Sequence, residues 1–324
     1  MNSRLGLKLA VAFATFAGLA ATPLVSVAHA ADFNIWYVNP LPNTPDWGRS
    51  GKEFVDGAAA NGYKATLVGP DKIDIPTMIS EIEQAISDNA DAIITCSLDH
   101  NAFKDVFDKA KAKGIIVAAL GCTDPNASFS VGTGGEQFGR AAADIIAQQT
   151  GNKANVGIVA TNQTEPNQVA QVTGFRDEVK DKFPNLKEVV WESDNSDAGV
   201  AAQKMSAMVA AYPEMDYMWI IEGAAPGAVP AALGEAGKKP GDIKVLAVDA
   251  QAATLKAIQD GWISGTLNQC WFDTSVNVAK LMMDIKSKGV TPQPFYVIPV
   301  DAVTKDSLPY KGCPTDNIDK PFAR

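Results

Sequence analysis

The sequence predicts an α/β protein of two similar lobes, each a parallel β-sheet with helices on both faces. Short runs rich in Ile and Val alternate with amphipathic stretches of about 10–15 residues, which is typical of βαβ units. This alternation occurs twice along the chain, in the same order of elements. The chain has 324 residues, more than one hydrophobic core commonly serves, so two domains are expected.

The first series of predicted elements begins after residue 30. Its strands are the apolar runs at residues 33–38, 64–68, 92–96 and 115–120. Its helices are predicted from Trp47 to Asn61, from Pro76 onward, and around Phe103, Val106 and Phe107. Apolar residues three or four positions apart share one face of a helix, so these helices can cover a sheet.

The second series repeats this order. Its strands are predicted at residues 156–160, 187–191, 217–221 and 243–248. Its helices are predicted around Val169, Val172 and Phe175, over residues 198–211, and near residues 229–236. Parallel strands need such crossover helices, which cover both faces of the sheet.

Composition argues against several classes of function. The net charge is −9 and no cluster of five basic residues occurs, whereas a nucleic-acid partner requires a basic surface. The two histidines cannot form a histidine-cluster metal site, and H-E-x-x-H, G-x-S-x-G and P-loop motifs do not occur. The glycine-rich stretch 131–135 lacks the third spaced glycine of a dinucleotide fingerprint. The sequence therefore predicts a protein that is not an enzyme and has no cofactor.

Residues 1–30 are predicted to be a secretion signal that is cleaved after Ala30. Arg4 and Lys8 precede an apolar run over residues 9–19, and Ala28-His29-Ala30 has the small-x-small pattern of a cleavage site. A membrane anchor is the alternative, but the apolar run is shorter than the roughly 20 residues that cross a bilayer. We therefore expect an exported protein.

Parallel sheets bind ligands at the carboxyl ends of their strands. The polar segments at those ends are residues 39–47, 96–99, 121–124, 161–167, 222–225 and 249–252. A ligand site is predicted among them.

The order and spacing of several motifs resemble the periplasmic substrate-binding proteins of sugar-type ABC importers, the ribose-binding-like, type I family. The motifs are Thr44-Pro45-Asp46-Trp47, residues 114–121, 130–133, 139–140, 174–175, 211–219, 245–250 and 255–269. The resemblance covers nearly the whole chain after residue 30.

The resemblance implies two lobes that close on a ligand, joined by crossings near residues 133–135, 269–271 and 297–300. The first lobe would comprise residues 31–133 and 271–297, and the second lobe residues 135–268 and 298–324. It also implies a periplasmic, monomeric protein whose partners are a sugar or polyol and the membrane permease of an ABC importer.

Three residues stand out in this resemblance. The family's sugar-binding Asp and hinge Gln fall on Asp249 and Gln269. Asp249 could instead cap the following helix, and both roles can coexist. Trp47 is predicted to stack on the apolar face of a sugar, with a role as a hydrophobic anchor for its helix as the alternative.

Five further positions are candidates for contact with the ligand. Thr133 matches a hydroxyl-bearing position at a crossing, Gln171 falls where the family has an Arg, and Glu222 where it often has Asn. Asn43 and Asp99 lie in loops after strands. His100 is interpreted as a residue at a helix start rather than a ligand contact, and Trp271 as either a ligand contact or packing in the hinge.

Departures from the family indicate the class of ligand. Gly121-Cys122 stands where pentose binders of this type have Asp-Arg, and Gln171 replaces a second Arg. Without these guanidinium groups a carboxylated sugar fits poorly. A neutral polyol, another sugar or a sugar derivative is expected.

Four cysteines in an exported chain can form disulfides in three pairings. Cys96 and Cys122 end strands that are expected to be neighbours, which makes that pair plausible and leaves Cys270 with Cys313. Free buried thiols are the alternative.

Two other functions remain open. A periplasmic sensor that passes its closed form to a chemoreceptor or histidine kinase would use the same fold. A sugar-modifying enzyme would need Glu222 and Asp249 as an acid and base flanking a bond.

Overall fold

The computed structural model describes residues 33–323. The predicted secretion signal lies outside these residues. The described part of the chain forms two six-stranded sheets, each covered by helices. The predicted fold class is confirmed: the chain crosses three times between two α/β lobes before its tail begins.

The chain first builds most of one lobe. Its elements in order are β1 (Phe33–Val38), α1 (Pro45–Asn61), β2 (Tyr63–Val68), α2 (Ile75–Ser87), β3 (Ala92–Thr95), α3 (His100–Ala112), β4 (Ile116–Leu120) and β5 (Phe129–Gly132).

The chain then crosses and builds the second lobe. Its elements are α4 (Gly135–Thr150), β6 (Ala154–Ala160), α5 (Pro166–Lys182), β7 (Leu186–Ser193), α6 (Ala198–Ala211), β8 (Tyr217–Ile220), α7 (Val229–Glu235), β9 (Lys244–Val248), α8 (Ala252–Gln259) and β10 (Gly265–Gln269). A 3-10 turn over Cys270–Thr274 leads back to the first lobe.

The last elements complete both sheets. They are α9 (Ser275–Lys288), β11 (Phe295–Val297), β12 (Val300–Val303) and α10 (Thr315–Asp319). The sheet orders are β11-β5-β4-β3-β1-β2 and β12-β10-β9-β8-β6-β7. All pairings are parallel except that of β10 with β12.

Each sheet has an apolar cluster on both faces. In the first lobe, Ile35, Ile94 and Phe54 belong to one cluster, and Ile93 and Phe103 belong to the other. Successive residues of a strand point to opposite faces, so a strand covered on both sides is apolar throughout. This explains why β3 and β4 are fully buried.

Helix α1 begins two residues earlier than the sequence predicted. Pro45 occupies the first turn, where a proline lacks only an N–H that would have no helical partner. Gly62 ends the helix with φ +75°, a left-handed conformation that glycine adopts without strain. Asp46 and Trp47 therefore lie in the first turn of α1, at the carboxyl end of β1.

The tail, residues 304–323, is divided between the lobes. Leu308 packs against the core of the second lobe, whereas Ile318 and Phe322 pack against that of the first. The sequence predicts that residues 298–324 all belong to the second lobe. In the structure β12 pairs with β10 of that lobe, whereas Ile318 and Phe322 pack on the first. The reason is local: Cys313 is bonded to Cys270 at the crossing, and the Phe322 ring stacks on Tyr296.

No helix within residues 33–323 has both the length and the apolar character that crossing a bilayer requires.

Candidate ligand-binding site

Polar side chains from both lobes meet where the chain crosses between the sheets. The crossings are residues 133–134 after β5, the 3-10 turn after β10, and residues 298–299 between β11 and β12. In two of them a polar side chain is buried or half-buried, namely Thr133 and Gln269. The site is built around this junction.

Asp249 is the central carboxyl group of the site. It follows β9 directly, is 3% exposed, and has φ +61°, which Asp tolerates better than most residues. Its Oδ1 accepts hydrogen bonds from Gln269 Nε2 at 3.3 Å and from the Gln269 backbone N–H at 3.4 Å. The N-cap of α8 is Gln251, so the alternative in which Asp249 caps that helix is not observed.

The charge of Asp249 is disfavoured by its surroundings. Burial and the nearby Asp46 carboxylate raise the pKa of Asp249 well above its usual range, while the Gln269 side chain and Arg49 act in the opposite direction. Asp46 lies on α1 in the first lobe, so this interaction acts between the lobes.

Gln269 is held by three side chains. Its Oε1 accepts from Trp271 Nε1 at 3.2 Å and from Thr133 Oγ1 at 3.4 Å, and its Nε2 donates to Asp249. Thr133 is 5% exposed. The predicted candidates Thr133, Asp249 and Gln269 thus lie in one hydrogen-bonded network.

Trp47 lies beside this network. Asn39, at the end of β1, holds the loop that carries it: its Nδ2 donates to the Trp47 carbonyl oxygen at 2.8 Å. The indole of Trp47 is half-buried and meets Trp271 edge-to-face, with ring centroids 4.8 Å apart. The ring also meets Phe272 edge-to-face, with ring centroids 5.6 Å apart. Trp47 therefore packs as a hydrophobic anchor, and its stacking on a sugar stays a prediction.

Two features replace the Asp-Arg of the pentose binders. Cys122 is bonded to Cys96, with Cα atoms 5.7 Å apart. Gly121 has φ +85°, and a methyl group at this position would come within 2.5 Å of the Trp271 ring. Trp271, 2% exposed, therefore occupies the space that a side chain at position 121 would need. The disulfides in the structure, Cys96–Cys122 and Cys270–Cys313, are the pairs that the strand order suggested.

The second lobe contributes a buried pair of carboxyl groups. Glu222 follows β8 and Asp194 follows β7; they are 4% and 0% exposed. The Glu222 oxygens accept from the backbone N–H groups of Ala224, at 2.8 Å, and Ala225. Burial and the Asp194 carboxylate raise the pKa of Glu222 well above its usual range, and burial also raises the pKa of Asp194. Because two adjacent buried carboxylates repel each other, the folded protein favours the neutral form of at least one of them.

Gln171 lies on α5 and is 2% exposed, and its Oε1 has no hydrogen-bond partner among the described residues. The same is true of Asp46 Oδ2 and Asp194 Oδ2. Buried acceptors without partners are rare in folded proteins.

Two further candidates from the sequence, Asp99 and Asn43, are exposed and lie outside the hinge network. Asp99 is exposed and caps α3, accepting from the N–H groups of Asn101 and Ala102 at 2.9 and 3.1 Å. Asn43 is exposed and donates to Asp71 at 2.8 Å. His100 begins α3, and its Nε2 lies 2.6 Å from the Thr123 carbonyl oxygen.

Sequence reasoning missed Arg49, Asp46 and Asp194 as site residues. Arg49 pairs with Asp46 at 3.1 Å and with Asp273, next to the hinge turn. Asp194 could have been found, since it follows a strand that was predicted to end at residue 191 and in fact ends at Ser193. Among residues 33–323, no three His, Cys, Asp or Glu side chains are grouped to hold a metal ion.

Comparison with known proteins agrees with this architecture. Residues 35–289 match the family described as periplasmic binding protein domain. The chain belongs to the periplasmic binding protein family.

This binding protein is similar to a xylitol-binding protein of Mycolicibacterium smegmatis, with 24% identity over 262 residues, 80% of this chain and 74% of the relative. Its fold matches an ABC transporter solute-binding protein of Burkholderia graminis solved with D-arabinose, at 22% identity and TM-score 0.81, over 88% of this chain and 99% of the other. It also matches the XylFII–LytSN complex, at 21% identity and TM-score 0.78, over 85% of this chain and 98% of the other.

Proposed function

We propose that this binding protein is a periplasmic receptor that captures a neutral sugar or sugar alcohol between its lobes and delivers it to an ABC permease. The observation that carries the proposal is the hinge network in which Asp249 and Gln269 lie beside the Trp47 indole. A carboxylate and an amide can pair with hydroxyl groups, while an indole can pack on a C–H face.

Three buried acceptors favour a ligand rich in hydrogen-bond donors. Within residues 33–323, Asp46 Oδ2, Gln171 Oε1 and Asp194 Oδ2 are buried and have no hydrogen-bond partner. A polyol brings one donor with each hydroxyl group, whereas a carboxylated sugar would place acceptor against acceptor. The nearby Arg49 is already paired with Asp46 and Asp273, so its guanidinium is not free to bind a ligand carboxylate.

The relatives support the same class of ligand. One is named a xylitol-binding protein and another was solved with D-arabinose. Xylitol is an open-chain alditol, and D-arabinose a pentose. Because the Trp271 ring and the disulfide at Cys122 replace the Asp-Arg of pentose binders, we favour a sugar alcohol over a pentose.

Two observations support the proposed periplasmic location. Residues 1–30 have the pattern of a cleaved signal, and the family is periplasmic in its description. In this proposal the mature protein is a monomer that changes shape when it binds, and the permease recognises the closed form.

A sensor role is the alternative, in which the closed form docks to a chemoreceptor or histidine kinase. One observation favours it: a chain of this fold is found in the XylFII–LytSN complex. An enzymatic role receives no such support, because both oxygens of Glu222 already accept backbone N–H groups.

A thermal-shift panel tests the ligand class. Xylitol, D-arabitol, D-arabinose, D-ribose and D-glucose are compared with D-galacturonate, succinate and L-glutamate, with the Asp249→Ala variant as a matched control. A ligand at 100 times its dissociation constant adds about 2.7 kcal/mol to the free energy of unfolding, which raises the melting temperature by several degrees. We expect a neutral polyol or sugar to give this shift in the wild type and a smaller one in the variant. Stabilisation by the acids alone would contradict the proposal.

A further inference from the structure

Trp271 links three parts of the candidate site. Its indole lies against Gly121 at the end of β4 and meets Trp47 edge-to-face. Its Nε1 donates to Gln269 Oε1 at 3.2 Å. The side chain is 2% exposed, so it makes these contacts from within the protein.

The indole N–H determines which way the Gln269 amide faces. An indole N–H can only donate, so the atom opposite it must be the amide oxygen. Thr133 Oγ1 donates to the same oxygen at 3.4 Å. The amide nitrogen is consequently turned toward Asp249, to whose Oδ1 it donates at 3.3 Å.

We propose that Trp271 is a positioning residue that fixes the orientation of the Gln269 amide and thereby the hydrogen-bonding pattern that the hinge presents to a ligand. The inference rests on the proposed function, because it assumes that Asp249 and Gln269 bind the ligand. Its ground is the chain of directed hydrogen bonds from Trp271 through Gln269 to Asp249.

This orientation suits a hydroxyl group. One N–H of Gln269 Nε2 bonds Asp249, which leaves a second N–H, and Asp249 retains its Oδ2. In the proposal, a ligand hydroxyl accepts from this second N–H, and a hydroxyl of the same ligand donates to Asp249. An amide rotated by half a turn would instead set its oxygen against the Asp249 carboxyl group and remove the free donor.

Trp271→Phe separates positioning from packing. Phenylalanine keeps an aromatic ring between Gly121 and Trp47 but has no N–H. A double-mutant cycle with Gln269→Ala then shows whether Trp271 acts through Gln269, since residues that act through one interaction give non-additive effects. A role in packing alone would give the same loss in both backgrounds.

The cycle is measured by calorimetry with xylitol and with D-arabinose as probes, after each variant has been shown to melt cooperatively. We expect Trp271→Phe to weaken binding about fivefold to tenfold in the wild-type background, the effect of one hydrogen bond. In the Gln269→Ala background we expect a change of less than about twofold. Equal losses in both backgrounds, or no loss in the wild type, would overturn the inference.

A second measurement needs no ligand. The indole N–H resonance of Trp271 is assigned in a ¹⁵N-labelled protein by its absence in Trp271→Phe. Loss of its acceptor in Gln269→Ala should shift this proton upfield, whereas Gln251→Ala, a substitution in the neighbouring loop, should leave it in place. If neither probe binds the wild type, the proposed ligand class fails, while the resonance still decides the orientation. An indole signal that Gln269→Ala does not move would refute the positioning role.

Discussion

Asp249 and Asp99 have the same side chain, but Asp249 bonds the hinge amide and Asp99 caps a helix. Asp249 is 3% exposed and faces the hinge amide, whereas Asp99 is exposed and bonds the first N–H groups of α3. Both lie after a strand, and the sequence predicts both as ligand contacts, Asp249 from a family motif and Asp99 from its place in a loop. Their substitution to alanine therefore separates a ligand contact from a helix cap.

We expect Asp249→Ala to weaken polyol binding by roughly 1–3 kcal/mol, because a ligand hydroxyl would lose its hydrogen-bond partner in a buried site. Asp99→Ala should leave affinity unchanged and lower the free energy of unfolding by about 1 kcal/mol, the value of an N-cap. Asp99→Ser, which keeps a capping oxygen, is the matched control. Calorimetry and urea unfolding check both. A large loss of affinity in Asp99→Ala would show that Asp99 reaches the ligand after all.

The buried pair Glu222–Asp194 predicts a dependence of stability on pH. The pKa of Glu222 is raised by burial and by Asp194, so this carboxyl is neutral in the folded protein at pH values where the unfolded chain has ionised it. The neutral carboxyl contributes fully to the free energy of unfolding below the ordinary pKa of glutamate, about 4.3. This contribution is lost as the pH rises toward the raised pKa of Glu222.

Glu222→Gln cannot ionise and keeps a neutral side chain of the same shape. Relative to the wild type, we expect its free energy of unfolding to increase with pH above about 4.3, by up to about 1.4 kcal/mol per pH unit within the window of the raised pKa. Urea unfolding of both proteins at pH 4, 6 and 8 measures this difference, in which the buried acids that do not contact Glu222 cancel. The substitution also alters the surroundings of Asp194, so the difference reports on the pair. A difference that stays constant across the three pH values would argue against a shared proton.

At the scale of elements, the long strands and helices of both series were predictable because their apolar periodicity is strong. The strands β11 and β12 have only three and four residues, too few to show a periodicity, and their place is decided by pairing with distant strands. Likewise, Trp47, Asp249 and Gln269 were found through motifs. Asp194 could have been recognised as a residue at a strand end, but the sequence could not show that the fold brings Glu222 beside it.

The two ends of β4 offer a matched pair of glycines. Gly114 precedes the strand with φ +75° and has no atom within 4 Å of where a Cβ would lie, whereas Gly121 follows it with φ +85° and faces the Trp271 ring. Both glycines have left-handed backbone, which costs an alanine about 1–2 kcal/mol.

We expect Gly114→Ala to destabilise the fold by that backbone cost alone. Gly121→Ala should cost about 1–3 kcal/mol more, because the new methyl group must displace Trp271. It should also weaken ligand binding, since Trp271 holds Gln269. Equal melting temperatures and affinities for the two variants would show that the ring adapts freely.

At the scale of the whole molecule, the tail is a fourth passage between the lobes. Tyr310 accepts from Asn268 Nδ2 at 2.9 Å, and Asn268 Oδ1 accepts from the backbone N–H of Ala250, next to Asp249. Further on, Asn277 Nδ2 donates to the Ile318 carbonyl oxygen at 3.1 Å in the first lobe. The Cys270–Cys313 bond fixes the middle of this passage to the hinge turn.

Replacement of both Cys270 and Cys313 by alanine should lower the free energy of unfolding by up to about 4 kcal/mol, the loop-closure entropy for a separation of 43 residues. Reversible denaturation of the variant and of the wild type, each with and without reductant, measures this loss. Because the variant lacks the Cys270–Cys313 disulfide, reductant can lower its free energy of unfolding only by breaking Cys96–Cys122. A variant as stable as the oxidised wild type would mean that the tail contacts alone fix the passage.

The course of the tail also determines how lobe movement can be observed with fluorescent labels. Phe33 begins a strand of the first sheet, and Phe322 stacks on Tyr296, with ring centroids 5.3 Å apart, in the same lobe. Donor and acceptor dyes attached near these two ends would travel together, so energy transfer between them would not report closure. A dye at residue 33 paired with one at the exposed Lys187 on β7 spans the two lobes, and its signal would follow their approach.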